Sequence, residues 1–172
     1  MSVYDHSAHV AEQTYRRRLR KDVLHGAFAG VLAGMAIMIV FFTYDMLWFK
    51  PLATPDFLSG TFLGGGDAGA EPSSGLRMTR IAIFSTLHLL IFTLIGIAFA
   101  RFFRFTQLPK TLLVGGLYGL TACTVIFSGT LRVTGTQMSG EWGWPALLSG
   151  NFLAGIVMVV FLRRAEQVDP SD

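Results

Sequence analysis

Asp45, Arg80 and His88 stand out among the ionisable residues within or beside the otherwise apolar stretches of this chain. Charge in hydrocarbon is costly enough that such positions are read first as sites. Asp45 stands near the end of one apolar run and Arg80 opens the next at the same level, so an ion pair between them would compensate both charges. His88 lies about two helical turns beyond Arg80.

His88 and His25 together invite a haem hypothesis, because membrane cytochromes use paired histidines as axial ligands. Depth argues against it: at about 1.5 Å per residue, roughly 13 Å separates the two along the membrane normal, too far for one iron. His25 is expected at an interface, and His88 is expected to donate a hydrogen bond to a neighbouring helix. His6 and His9, without acidic or thiol companions, are weak metal ligands. The chain has no Walker loop, no dinucleotide fingerprint, no H-E-x-x-H and no nucleophile with its base. The expectation is a protein that is not an enzyme and carries no cofactor or metal.

Two further polar groups bear on function. Thr121, Thr124, Ser128 and Thr130, with Asn151 on a later segment, would line a polar path if several copies assembled. The competing reading is that these hydroxyls bond back to the preceding helical turn. Cys123 is the only cysteine, so no intrachain disulfide forms.

The elements that must position these residues follow from hydropathy. Four apolar stretches run over Val23–Phe49, broken only by Asp45, then Ile81–Ala100, Leu112–Gly129 and Pro145–Leu162, in a chain of 172 residues that is 52% hydrophobic. Each is long enough, or nearly so, to cross about 30 Å of hydrocarbon as a helix, and no polar alternation suggests a barrel. The expected fold is an all-α membrane protein with four transmembrane helices, at about 22–49, 80–101, 111–131 and 145–162. They form one domain over 22–164, between a basic segment 1–21 and a tail 165–172. A signal peptide is not expected, since its apolar core spans about 7–15 residues and the first run here is far longer.

Cations set the orientation. Arg16, Arg17, Arg18, Arg20, Lys21, Arg101, Arg104, Lys110, Arg163 and Arg164 fall on one side of alternating spans, and Lys50, Arg77, Arg80 and Arg132 on the other. The positive-inside rule then places both termini in the cytoplasm, as suits a bacterial inner membrane. Trp48, Trp142 and Trp144 fall at the opposite helix ends, where an aromatic belt belongs. The net charge of +3 is explained by this asymmetry, so nucleic acid is not an expected partner.

Two repeats suggest a duplicated helical hairpin in parallel orientation. At an offset of 89 residues, Lys21, Leu24, Gly26 and Gly30 match Lys110, Leu113, Gly115 and Gly119. At an offset of 90, Pro55, Leu58, Ser59, Gly60, Phe62, Leu63 and Gly65 match Pro145, Leu148, Ser149, Gly150, Phe152, Leu153 and Gly155. The first copy lies in the outer loop 50–79, ahead of a glycine-rich tract, and predicts a short helix over 55–63, on the outer surface or dipping back into the membrane.

Gly26, Gly30 and Gly34, four residues apart, share one helix face, as do Gly115, Gly119 and Cys123. Glycine at such spacing lets two backbones approach closely, and the expected contact joins the first span to the third. With fifteen Phe residues and no chemical site, the composition points to a non-catalytic structural or assembly subunit of a respiratory, photosynthetic or transport complex. Its partners are then the bilayer and other membrane subunits, or itself. The alternative is a small homo-oligomeric channel or carrier.

Overall fold

The computed structural model describes residues 3–48, 50–63, 74–106, 111–134 and 143–168. They form five helices: α1 (Val3–Trp48), α2 (Ala53–Leu63), α3 (Ser74–Thr106), α4 (Leu112–Thr134) and α5 (Gly143–Val168). Four of these, α1, α3, α4 and α5, are long and apolar enough to cross a membrane. The glycine-rich segment 64–73 lies outside the described residues.

α1 runs for 46 residues, so the basic segment is not a separate coil but the same helix continued. At about 1.5 Å per residue it reaches roughly 69 Å, more than twice the thickness of a hydrocarbon core. Residues 12–18 on this extension are all exposed, and Arg16 meets Glu12 at 2.7 Å one turn away.

The glycines decide which helices touch. A Cβ on Gly26 would lie 2.7 Å from the Gly96 carbonyl oxygen, and one on Gly30 would strike the Phe92 carbonyl, so α1 docks by its backbone onto α3. On α4, a Cβ on Gly115 would lie 2.7 Å from the Gly155 carbonyl oxygen, and one on Gly119 would strike the Asn151 carbonyl of α5. The expected contact of first span with third is therefore replaced by two hairpins, α1 with α3 and α4 with α5. Neighbouring antiparallel spans bring their small residues together with less chain to order, and Gly96 and Gly155 supply the second small face.

The two hairpins share one register. Gly26 and Gly30 meet Gly96 and Phe92 as Gly115 and Gly119 meet Gly155 and Asn151. α1 and α5 then join the hairpins, and a Cβ added at Gly150 would lie within 4 Å of Ile37 and Phe41. Ala29, Ala33, Ile37, Phe92, Phe99, Ala154, Met158 and Val159 fill this central seam.

α2 packs on α3 and touches α1. The α1–α3 register, read from Gly26, Gly30 and Gly34, puts Asp45 opposite Arg77. Asp56, near the start of α2, pairs with Arg77, whereas Phe62 near its end stacks on Phe84 with ring centroids 5.9 Å apart. Seven residues of α3 separate those partners, about 10 Å, close to the rise of α2 between Asp56 and Phe62. α2 therefore runs alongside α3, back toward the middle of the bundle. Phe62 also meets Phe127 of α4 edge-on at 6.2 Å. At the end carrying the termini, Tyr118 of α4 lies 4.5 Å from Phe99 and 5.5 Å from Phe102 of α3. Aromatic rings bridge α3 and α4.

Candidate functional site

The polar residues gather where α1, α2 and α3 meet, at the end of the bundle opposite the termini. Their arrangement starts with a turn. Lys50 accepts a hydrogen bond from the Ala53 N–H at 3.0 Å, with Pro51 between them and Leu52 at φ 66°. Proline followed by a positive-φ residue is the type II pattern, in which glycine usually takes the third position. The turn throws the chain back on itself and starts α2 at Ala53.

A helix start leaves backbone N–H groups without partners, and the residue before the first turn usually accepts one through its side chain. Here that position is Leu52, which has no acceptor. Asp45 of α1 substitutes for it. Its Oδ2 accepts the Thr54 N–H at 2.8 Å and its Oδ1 accepts the Thr54 hydroxyl at 2.6 Å. The carboxylate is fully buried, so these donors replace the water it lacks.

Asp45 does not pair with Arg80. Among the described residues the ion pair at this end joins Arg77 to Asp56, with Arg77 Nε 2.8 Å from Oδ2 although its N–H is not aimed at the oxygen. The Thr54 amide and hydroxyl reach Asp45 across a short turn, whereas Arg80 comes from another helix. Arg80 remains beside this group with a buried, unpartnered Nε. Sequence reasoning missed Thr54 and Asp56 as partners. The signal was Lys50-Pro51-Leu52-Ala53-Thr54-Pro55, in which two prolines bracket a turn and a helix's first turn nine residues after a lone aspartate.

His88 lies deeper, in a column of rings on α3: its centroid is 6.2 Å from Phe84 and 4.7 Å from Phe92. The imidazole comes within hydrogen-bonding reach of the Gly34 backbone of α1. Nε2 is buried without a partner, so it is the Nδ1 side of the ring that faces this backbone. The same glycine step that admits Phe92 thus exposes backbone for the ring.

The other candidates lie apart. Asn151 is buried between α4 and α5, its Nδ2 3.5 Å from the Thr124 hydroxyl, at the outer limit of a hydrogen bond. Thr121 bonds back to the Leu117 carbonyl at 2.8 Å. Cys123 is buried and free. Among the described residues no three His, Cys, Asp or Glu side chains converge. Gly34 meets Leu89 and Phe92 side chains rather than backbone. The side chain of His6 lies outside the described residues, and His9 is exposed on α1.

No protein-family model matches the chain, and no curated protein or solved structure matches it either.

Proposed function

We propose that this chain is a non-catalytic structural or assembly subunit of a larger complex in the bacterial cytoplasmic membrane, with both termini in the cytoplasm. The observation that carries this reading is the extension of α1. A helix exposed on every side over residues 12–18 has no apolar face of its own to hold it, and helices depend on packing for most of their stability. Tyr15, 62% exposed among charged neighbours, is an aromatic anchor of the kind that dominates protein interfaces. A partner's soluble surface is its natural counterpart, while the spans provide anchorage in the bilayer.

The packing supports the same reading. Gly26, Gly30, Gly115 and Gly119 are occupied by helices of the same chain, so partner contact falls to the arm and to outward apolar faces. We also read the two sequence repeats, which match α2 to the start of α5, as the trace of a duplication, and α2 as a segment dipping back into the membrane. The alternative, a homo-oligomeric channel or carrier, needs Thr124 and Asn151 on a shared path, and they face each other instead.

The test is gentle extraction through a C-terminal tag, with partners identified on a native gel by mass spectrometry. Stoichiometric partners that vanish in Tyr15→Ala, while that variant still resists carbonate extraction of membranes, are the expected result. A homo-oligomer alone, with ion flux in liposomes that depends on Asn151, would transfer the case to the channel.

A further inference from the structure

Beyond subunit assembly, and resting on the membrane reading, we infer that Arg80 binds the phosphate of a phospholipid headgroup while an acyl chain lies along α3. Among the described residues, the acids at this end leave Arg80 without a partner. Both oxygens of Asp45 are taken by Thr54, and Asp56 is taken by Arg77. Arg80 Nε is buried without a hydrogen-bond partner, and among the described residues no ion pair joins Arg80 to an acid. A guanidinium stays protonated in any protein environment and presents a planar fork of donors matched to phosphate oxygens. Arg80 is half-buried, with its Nε closed off from water and no acid beside it among the described residues, so an anion supplied at its exposed side is the group that fits it.

The surface around Arg80 selects the source of that anion. Leu76, Ile83, Leu87, Leu90 and Leu94 recur at steps of three and four with Arg80 among them, so all share one helix face. Each of the five leucine and isoleucine side chains is exposed, from 44% at Leu87 to 67% at Leu94. This stripe runs from the Arg80 level toward the middle of the bundle. A soluble phosphate would satisfy the guanidinium and leave the stripe unused. A phospholipid satisfies both, with its phosphate at the helix end and its chain along Ile83, Leu87, Leu90 and Leu94.

The experiment is native mass spectrometry of the protein in a mild detergent, followed by delipidation and titration with dioleoyl-phosphatidylglycerol. Wild type is expected to retain one phospholipid, and Arg80→Gln is expected to lose it by at least about fivefold. Arg80→Lys, with a point charge in place of the fork, is expected to fall between them. Titrated lipid should raise the melting temperature of delipidated wild type and leave Arg80→Gln unmoved. Equal lipid occupancy in wild type and Arg80→Gln overturns the site. Stabilisation by millimolar inorganic phosphate equal to that by lipid overturns the lipid assignment. If Arg80→Gln does not fold, Leu87→Gln decides, because full lipid retention in that variant removes the acyl track. Failure of the membrane reading shows separately, as release of the chain by carbonate.

Discussion

The Asp45 carboxylate accepts both polar hydrogens of Thr54, the backbone N–H at 2.8 Å and the hydroxyl at 2.6 Å, and so caps a helix to which it does not belong. The bond ties the end of α1 to the start of α2, and through Asp56 and Arg77 to α3. Removing the carboxylate leaves two donors buried. Asp45→Ala is expected to destabilise the protein by about 2 kcal/mol, combining a lost cap with a charge-assisted bond, and Asp45→Asn by about 1 kcal/mol because one acceptor remains. Reversible denaturant unfolding in micelles, followed by circular dichroism, measures both. Equal stability of Asp45→Ala and wild type would remove the cap from the account.

Leu52 holds φ at 66°, where a Cβ crowds the backbone. Leu52→Gly relieves about 1–2 kcal/mol of that crowding and loses about 0.5–1 kcal/mol to the freedom glycine gains when unfolded. The net expectation is a gain of about 0.5 kcal/mol, or no loss. Leu52→Val, branched at Cβ, goes the other way, by more than about 1 kcal/mol. If glycine proves the less stable of the two substitutions, the turn is not what sets this backbone.

How much of this was legible in the sequence differs by layer. The four long apolar helices were legible because hydropathy over some twenty residues is a bulk property that no single contact overrides, and the helix at 55–63 was marked by its match to the start of the last one. Helix pairing was not. Gly26 and Gly30 signal that a backbone comes close and say nothing about whose; Gly96 is a single glycine without a motif, and Gly155 entered only as the end of a repeat. The partner of Asp45 was misread for a related reason. Matching opposite charges at one depth favoured Arg80, whereas the geometry of a two-residue turn delivered the neutral Thr54 first. The continuation of α1 through Arg16–Lys21 was missed because a charged segment carries no apolar period.

The glycines separate into two kinds, and the contrast is testable. Gly30, Gly96, Gly119 and Gly155 face backbone atoms of the opposite helix, which cannot yield without parting the hairpin. Gly60, Gly75 and Gly129 have no atom within 4 Å of an added Cβ. Alanine at the first group is expected to cost about 1–3 kcal/mol by overpacking. Alanine at Gly129, within α4, is expected to add about 0.5–1 kcal/mol of helix stability. The shared register adds a sharper expectation, that Gly30→Ala and Gly119→Ala destabilise alike. Unfolding titrations of the three variants check it, and a neutral Gly30→Ala beside a damaging Gly129→Ala would reverse the assignment of faces.

His88 joins two roles that substitution can separate, as a ring in the Phe84–His88–Phe92 column and as a polar group within hydrogen-bonding reach of the Gly34 backbone. Intramembrane hydrogen bonds average about 0.6 kcal/mol, while emptying an aromatic site costs about 3–5 kcal/mol in tightly packed interiors. Packing therefore outweighs the bond. His88→Phe fills the column and removes the unpartnered Nε2, and is expected within about 1 kcal/mol of wild type. His88→Ala is expected to lose at least about 2 kcal/mol. Stability measured on both variants, beside recovery of the native complex, divides structure from function. Loss of the complex in a fully stable His88→Phe would show that Nε2 itself is used.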